Sequence, residues 1–146
     1  MRITIEDTIM NIALEWSKRS TCSSRVSVGA VLVNKHNRIV AAGYNGAPSG
    51  MTHCDEVGCE LVNGNCISSI HAEENAIIQC AREGISTDGL VMYTTHSPCA
   101  RCARRIIQAG ISSVWYAYPY KDLAETEALF EKAGILINEW MPSCLH

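Results

Sequence analysis

A chain of 146 residues, 47% apolar and 18% charged, has room for one globular domain with a core, spanning 1–146, and not for two. Its apolar runs stay short of the ~20 residues of a membrane-spanning helix. A net charge of −3 argues against a broad nucleic-acid surface, which needs a basic face, but allows a small anionic substrate held by one or two local Arg or Lys.

The opening MRITIEDTIMNIALEW carries acids and a helical pattern where a secretory signal would need a basic flank and an apolar block. Ile5, Ile9, Ile12, Ala13 and Trp16 recur at spacings of three and four, which predicts an amphipathic helix at the start of a cytoplasmic protein. VGAVLV (28–33) and IVAAGY (39–44), joined by the polar NKHNR with His36 solvated, predict a hairpin. Between Asn45 and Ser69 periodicity disappears into Gly, Pro, Asn, Ser and Cys. So long a loop without elements is uncommon and tends to be functional.

HAEENAIIQCAREG then predicts a helix stopped by Gly84, with Ala72, Ala76, Ile77 and Cys80 on its apolar side. LVMYTT (90–95), CARCARRIIQAG, SVWYAY (113–118), DLAETEALFEKAG and ILINEW alternate strand and helix. Such repeats imply parallel strands with right-handed crossovers. The expected fold is a three-layer α/β/α sandwich around a mixed sheet of about five strands, an opening hairpin followed by parallel strands. Cys144 and His146 fall in a tail with no assigned role.

Eight cysteines are many for this length, and imply either a disulfide framework or metal binding. Metal is the better reading, because paired cysteines accompany a His-x-Glu. His71-Ala72-Glu73 opens one helix and Pro98-Cys99-Ala100-Arg101-Cys102 opens the next. Cys99 and Cys102 share a helix face, and a helix N-terminus favours thiolates. With His71 they supply three ligands, leaving the open fourth position of a catalytic zinc. Glu73 is then the group that moves protons between water, a ring nitrogen and a leaving amine. H-x-E followed by P-C-x-x-C is the pattern of the zinc nucleobase deaminases.

Over nearly its whole length the chain resembles the deoxycytidylate deaminases of the cytidine-deaminase superfamily. The resemblance is carried by STCSSRVSVGAVLV, GYNGAPSG, HCDEVGC, ISSIHAEENAI and HSPCARCARRIIQAGI. It implies zinc-dependent hydrolysis of dCMP to dUMP and ammonia, supplying dUMP for thymidylate synthesis. Glu73 would be the proton shuttle and His71, Cys99 and Cys102 the zinc ligands. Asn45 would contact the deoxyribose, with Ala72, Ser97 and Tyr120 also at the nucleotide and Arg25, or the serines beside it, at the 5′-phosphate. The family also implies a homohexamer activated by dCTP and inhibited by dTTP with Mg2+, Asn45 and Gly46 lying near the effector. Alternatives are turnover of dCTP as well as dCMP, a tRNA adenosine deaminase, or a zinc module without catalysis. Asn45-Gly46 is also a common turn, Arg25 also an ordinary surface cation, and Tyr120 also a packing residue.

Cys22, Cys54, Cys59 and Cys66 have the donor set of a second, structural zinc that would order the middle loop. His53 is the substitute for any one of them, and free thiols or a disulfide are the alternatives. Cys80 reads as a core residue. His96 either approaches the pocket or ends a strand.

Overall fold

In the computed structural model, which describes residues 2–143, helix α1 (Ile5–Ser17) is capped by the Thr4 side chain, which accepts from the Asp7 N–H at 3.1 Å. Its buried stripe is Ile9, Met10 and Ala13, with Leu14 packed beside them. The expected stripe is right at Ile9 and Ala13; Ile5, Ile12 and Trp16 are exposed. Isoleucines at both spacings outline two neighbouring arcs of the helix, and the sheet covers the arc completed by Met10. Cys144 and His146 lie outside the described residues.

Strands β1 (Gly29–Val33) and β2 (Ile39–Tyr44) form the predicted hairpin. β1 also pairs antiparallel with β5 (Val91–His96), after which β6 (Ser113–Tyr118) and β7 (Leu136–Glu139) follow in parallel. The order is β2-β1-β5-β6-β7, the mixed five-stranded sheet expected.

The period-two alternation of strands assigns the faces. Val31, Val33 and Tyr93 pack toward α1, while Ala30, Leu32 and Met92 pack with the cores of α3 (Ala72–Glu83), α4 (Ala100–Gln108) and α5 (Leu123–Ala133). Cys80, wholly buried, belongs to that second core. Three layers result. Helix α3 lies on β2 at backbone distance, because a Cβ at Gly43 would meet the Ala72 carbonyl oxygen at 2.5 Å and the Ala76 nitrogen at 2.7 Å.

The middle segment differs from expectation. It contains the short helix α2 (Cys54–Val57) and a ribbon of β3 (Leu61–Val62) and β4 (Asn65–Cys66). Asn63 and Gly64 both take positive φ, 50° and 75°, as a tight hairpin turn requires. Four side chains rather than a hydrophobic core gather these pieces: Cys22, Cys54, Cys59 and Cys66.

Candidate active site

His71 is the N-cap of α3 and Cys99 the N-cap of α4, and neither side chain caps its own helix. They turn to each other instead. Nδ1 of His71 lies 3.6 Å from Cys99 Sγ and 3.3 Å from Cys102 Sγ. A tetrahedral zinc with Zn–S of about 2.3 Å and Zn–N of about 2.0 Å would set ligands about 3.5 Å apart, so the three donors fit one ion. Pro98 precedes the cap rather than opening the helix, and its carbonyl accepts from the Thr126 hydroxyl at 2.8 Å. That contact anchors the ligand loop to α5.

Hydrogen bonding from the Cys102 thiol, assisted by His71, holds Cys99 down at about 3. Cys102, the donor of that hydrogen and deeply buried, is pushed up. The opposite shifts arise from one hydrogen shared between the two thiols, and a metal bound by both would displace it.

Glu73 follows one residue into α3 and is almost wholly buried. Burial raises its carboxyl above the ordinary range, against the opposing pull of its backbone hydrogen bond and of His71. The Thr94 hydroxyl, which donates to the His96 carbonyl at 3.0 Å, lies 3.4 Å from Glu73 Oε1. A carboxyl with a raised pKa beside a metal triad suits a group that must both accept and return a proton.

These groups open on a cavity of about 390 Å³ whose wall includes Arg25, Asn45, Ala72, Ser97 and Tyr120, every expected substrate contact, with Gly46 outside it. Their roles in the fold are unequal. The Asn45 amide is committed to backbone, accepting from Val28 N–H at 2.8 Å and donating to the Val26 carbonyl at 3.0 Å. Gly46 exchanges two backbone hydrogen bonds with Ile70, at 3.3 and 2.8 Å, and so fixes the residue before His71. The Ser97 hydroxyl accepts from the Tyr120 N–H at 2.7 Å, placing that ring at the rim. His96, undecided from sequence, is on the wall and packs against the rings of Tyr118 and Tyr120. Burial lowers its pKa.

Arg25 extends into the cavity, its Nη1 3.1 Å from His71 Nε2 and its Nη2 donating to Asn65 Oδ1 at 3.3 Å. Its Nε is buried without a partner. Sequence reading did not single out Asn65, Arg101 and Lys121, which also line the cavity, or Thr94, which lies against Glu73. A two-residue Asn-Gly turn was the available signal for the ribbon that delivers Asn65; the other three had none.

The second group of cysteines converges as expected. Sγ of Cys22 is 3.8 Å from Cys59 and Sγ of Cys54 is 3.7 Å from Cys66. The edge of a tetrahedron with Zn–S near 2.3 Å is about 3.8 Å, so four thiolates around one ion fit. His53 stays outside, its Nδ1 bonded to the Thr21 hydroxyl at 3.0 Å. The cysteines among the described residues are free thiols. Ser24 and Ser23 hydroxyls lower Cys59 to about 6, whereas burial pushes Cys54 up to about 12.

Residues 3–118 match the family model for the cytidine and deoxycytidylate deaminase zinc-binding region. ComE operon protein 2 of Bacillus subtilis is 47% identical over 121 residues, 83% of this chain and 63% of that protein. The deoxycytidylate deaminase of Schizosaccharomyces pombe is 37% identical over 142 residues, 91% of this chain and 43% of that one. The chain thus spans about half the length of these relatives. The dCMP deaminase of cyanophage S-TIM5, solved in complex with dCMP and dUMP, superposes with a TM-score of 0.82 at 34% identity, covering 96% of this chain and 99% of that one.

Proposed function

The chain belongs to the cytidine and deoxycytidylate deaminase family, and on that basis we propose that it hydrolyses dCMP to dUMP and ammonia, a step that feeds thymidylate synthesis. One observation carries the reading: His71 Nδ1, Cys99 Sγ and Cys102 Sγ converge beside the buried carboxyl of Glu73. The nucleotide complex of the cyanophage relative supports dCMP as substrate.

His71, Cys99 and Cys102 would hold zinc with one position open, and zinc so held supplies a water acidified toward a pKa of ~7. The remaining work falls to the chain. Glu73 accepts a proton from the attacking water and delivers it to the ring nitrogen next to C4; it then takes the hydroxyl proton of the tetrahedral adduct and gives it to the departing amine, which leaves as ammonia. The Glu73 carboxyl is buried where it borders the cavity. Ala72 and Asn45 line the base and sugar side, Ser97 holds Tyr120 at the rim, and Arg25 is the cation for the 5′-phosphate. Cys22, Cys54, Cys59 and Cys66 would hold a second, structural zinc.

The reading extends to dCTP activation and dTTP inhibition with Mg2+, and to a homohexamer. A groove of about 690 Å³ lined by Trp16, Tyr44, Pro48 and Arg82, next to Asn45 and Gly46, supports a nucleotide effector there. Exposed Ile5, Ile12 and Trp16 on one helix support subunit contacts. Free thiols suit a cytoplasmic setting, and no helix among the described residues is long and apolar enough to cross a membrane.

The test is to incubate the protein with dCMP, dCTP, deoxycytidine, CMP and a tRNA anticodon stem, measuring ammonia and product. dCMP should be turned over; turnover of deoxycytidine with none of dCMP would refute the nucleotide assignment. Zinc analysis should give two ions per chain.

A further inference from the structure

The two segments that the four-cysteine cluster would tie together are the same two that hold Arg25. Cys22 lies three residues before Arg25 in the chain. Cys66 directly follows Asn65, whose Oδ1 accepts from Arg25 Nη2 at 3.3 Å. Cys66 and Asn65 also line the cavity that contains His71 and Glu73. A single ion bound by Cys22 and Cys66 would therefore fix both the backbone that carries the guanidinium and the side chain that orients it.

Apolar packing offers little substitute. Leu61 and Val62, the partner strand of the ribbon, are about half exposed at 54% and 50%, and Ile67 is 55% exposed. A two-residue strand pair is far below the length that is stable by itself. The interior of this region is the thiol group. Arg25 has a buried Nε with no partner and two side-chain contacts, His71 Nε2 at 3.1 Å and Asn65 Oδ1 at 3.3 Å; of these, Asn65 is the one that stands outside the metal triad and can hold the guanidinium when His71 Nε2 carries a hydrogen.

We propose that the four-cysteine centre is a specificity element of the active site: through Cys22 and Cys66 it sets Asn65 as the positioning residue for Arg25, and so governs recognition of the 5′-phosphate. The inference rests on the proposed function for the phosphate role of Arg25. It separates nucleotide from nucleoside, which a general stabilising role of the second metal would not do.

The experiment uses the zinc-loaded full chain and measures binding of dUMP and of deoxyuridine by calorimetry, alongside zinc content. Asn65→Leu should weaken dUMP by about tenfold, the scale of a lost hydrogen bond to a charged group. It should leave deoxyuridine within twofold and both zinc ions in place, and Asn65→Gln, which keeps a neutral amide acceptor, should lose less dUMP affinity than Asn65→Leu. Cys59→Ser, at the least buried of the four cysteines, should lower zinc to one per chain and weaken dUMP selectively. Equal loss of dUMP and deoxyuridine in either variant would overturn the proposal, as would unchanged dUMP binding by Asn65→Leu. Failure of the unmodified chain to bind dUMP would instead refute the proposed function.

Discussion

Nη1 of Arg25 lies 3.1 Å from Nε2 of His71, the ring nitrogen not turned to the thiols. A neutral imidazole that gives Nδ1 to a metal keeps its hydrogen on Nε2. The two groups would then meet donor to donor. With a metal on Nδ1 the guanidinium would therefore need another acceptor on the cavity side, such as a substrate phosphate. Arg25→Ala is expected to raise the KM for dCMP by roughly 10–100-fold, the scale of a charge-assisted hydrogen bond, with far less effect on deoxycytidine. Initial rates on the two substrates check this, and equal losses on both would contradict it.

Glu73→Ala should retain zinc, since the carboxyl is not among the three converging donors. Turnover should fall by about 10²–10⁴-fold, the usual contribution of general acid–base catalysis. Ammonia release and metal content, measured on the same preparation, distinguish this from loss of the site.

Gly43→Ala tests how closely α3 must sit on β2. The added Cβ would press on the Ala72 carbonyl and the Ala76 nitrogen, both backbone atoms that cannot swing aside. A cost of about 1–3 kcal/mol in urea unfolding is expected from such overpacking. Because the displaced helix carries His71 and Glu73, zinc retention should drop as well.

Asp7 couples the end of the chain to α1. Hydrogen bonds from the Ser143 hydroxyl and N–H and from Trp140 Nε1, the last at 2.9 Å, hold its carboxyl below the ordinary 3.8. A depressed carboxyl contributes stability above its unfolded pKa and loses it as pH falls through the folded value. Asp7→Asn should therefore melt at lower temperature than the parent at pH 7, with the gap closing as pH falls below 3.8 and through the folded value. Thermal unfolding across that range checks the sign.

Much of this was legible in the chain. The short β-branched run VGAVLV and the Gly84 and Gly134 stops marked elements within a residue or two of their observed ends. The spacing of Cys99 and Cys102 alone placed two thiols at one helix start. α1 was harder, since isoleucines on two arcs cannot tell which arc the sheet covers. In the middle segment the Asn63-Gly64 turn was a local signal, but the elements around it are two to four residues long.

By itself the sequence determined the donor chemistry: which residues can bind a soft cation, which carboxyl stands beside them, and the order of elements that carries them. Those properties are local, fixed by residue type and by spacing within one helix or strand. Only the tertiary structure decided that Nδ1 rather than Nε2 of His71 faces the thiols, that Asn45 is occupied with backbone, and that Arg25 is held by Asn65 from forty residues away. Each of these depends on how distant segments converge, which packing of the sheet and the gathering of four cysteines set together.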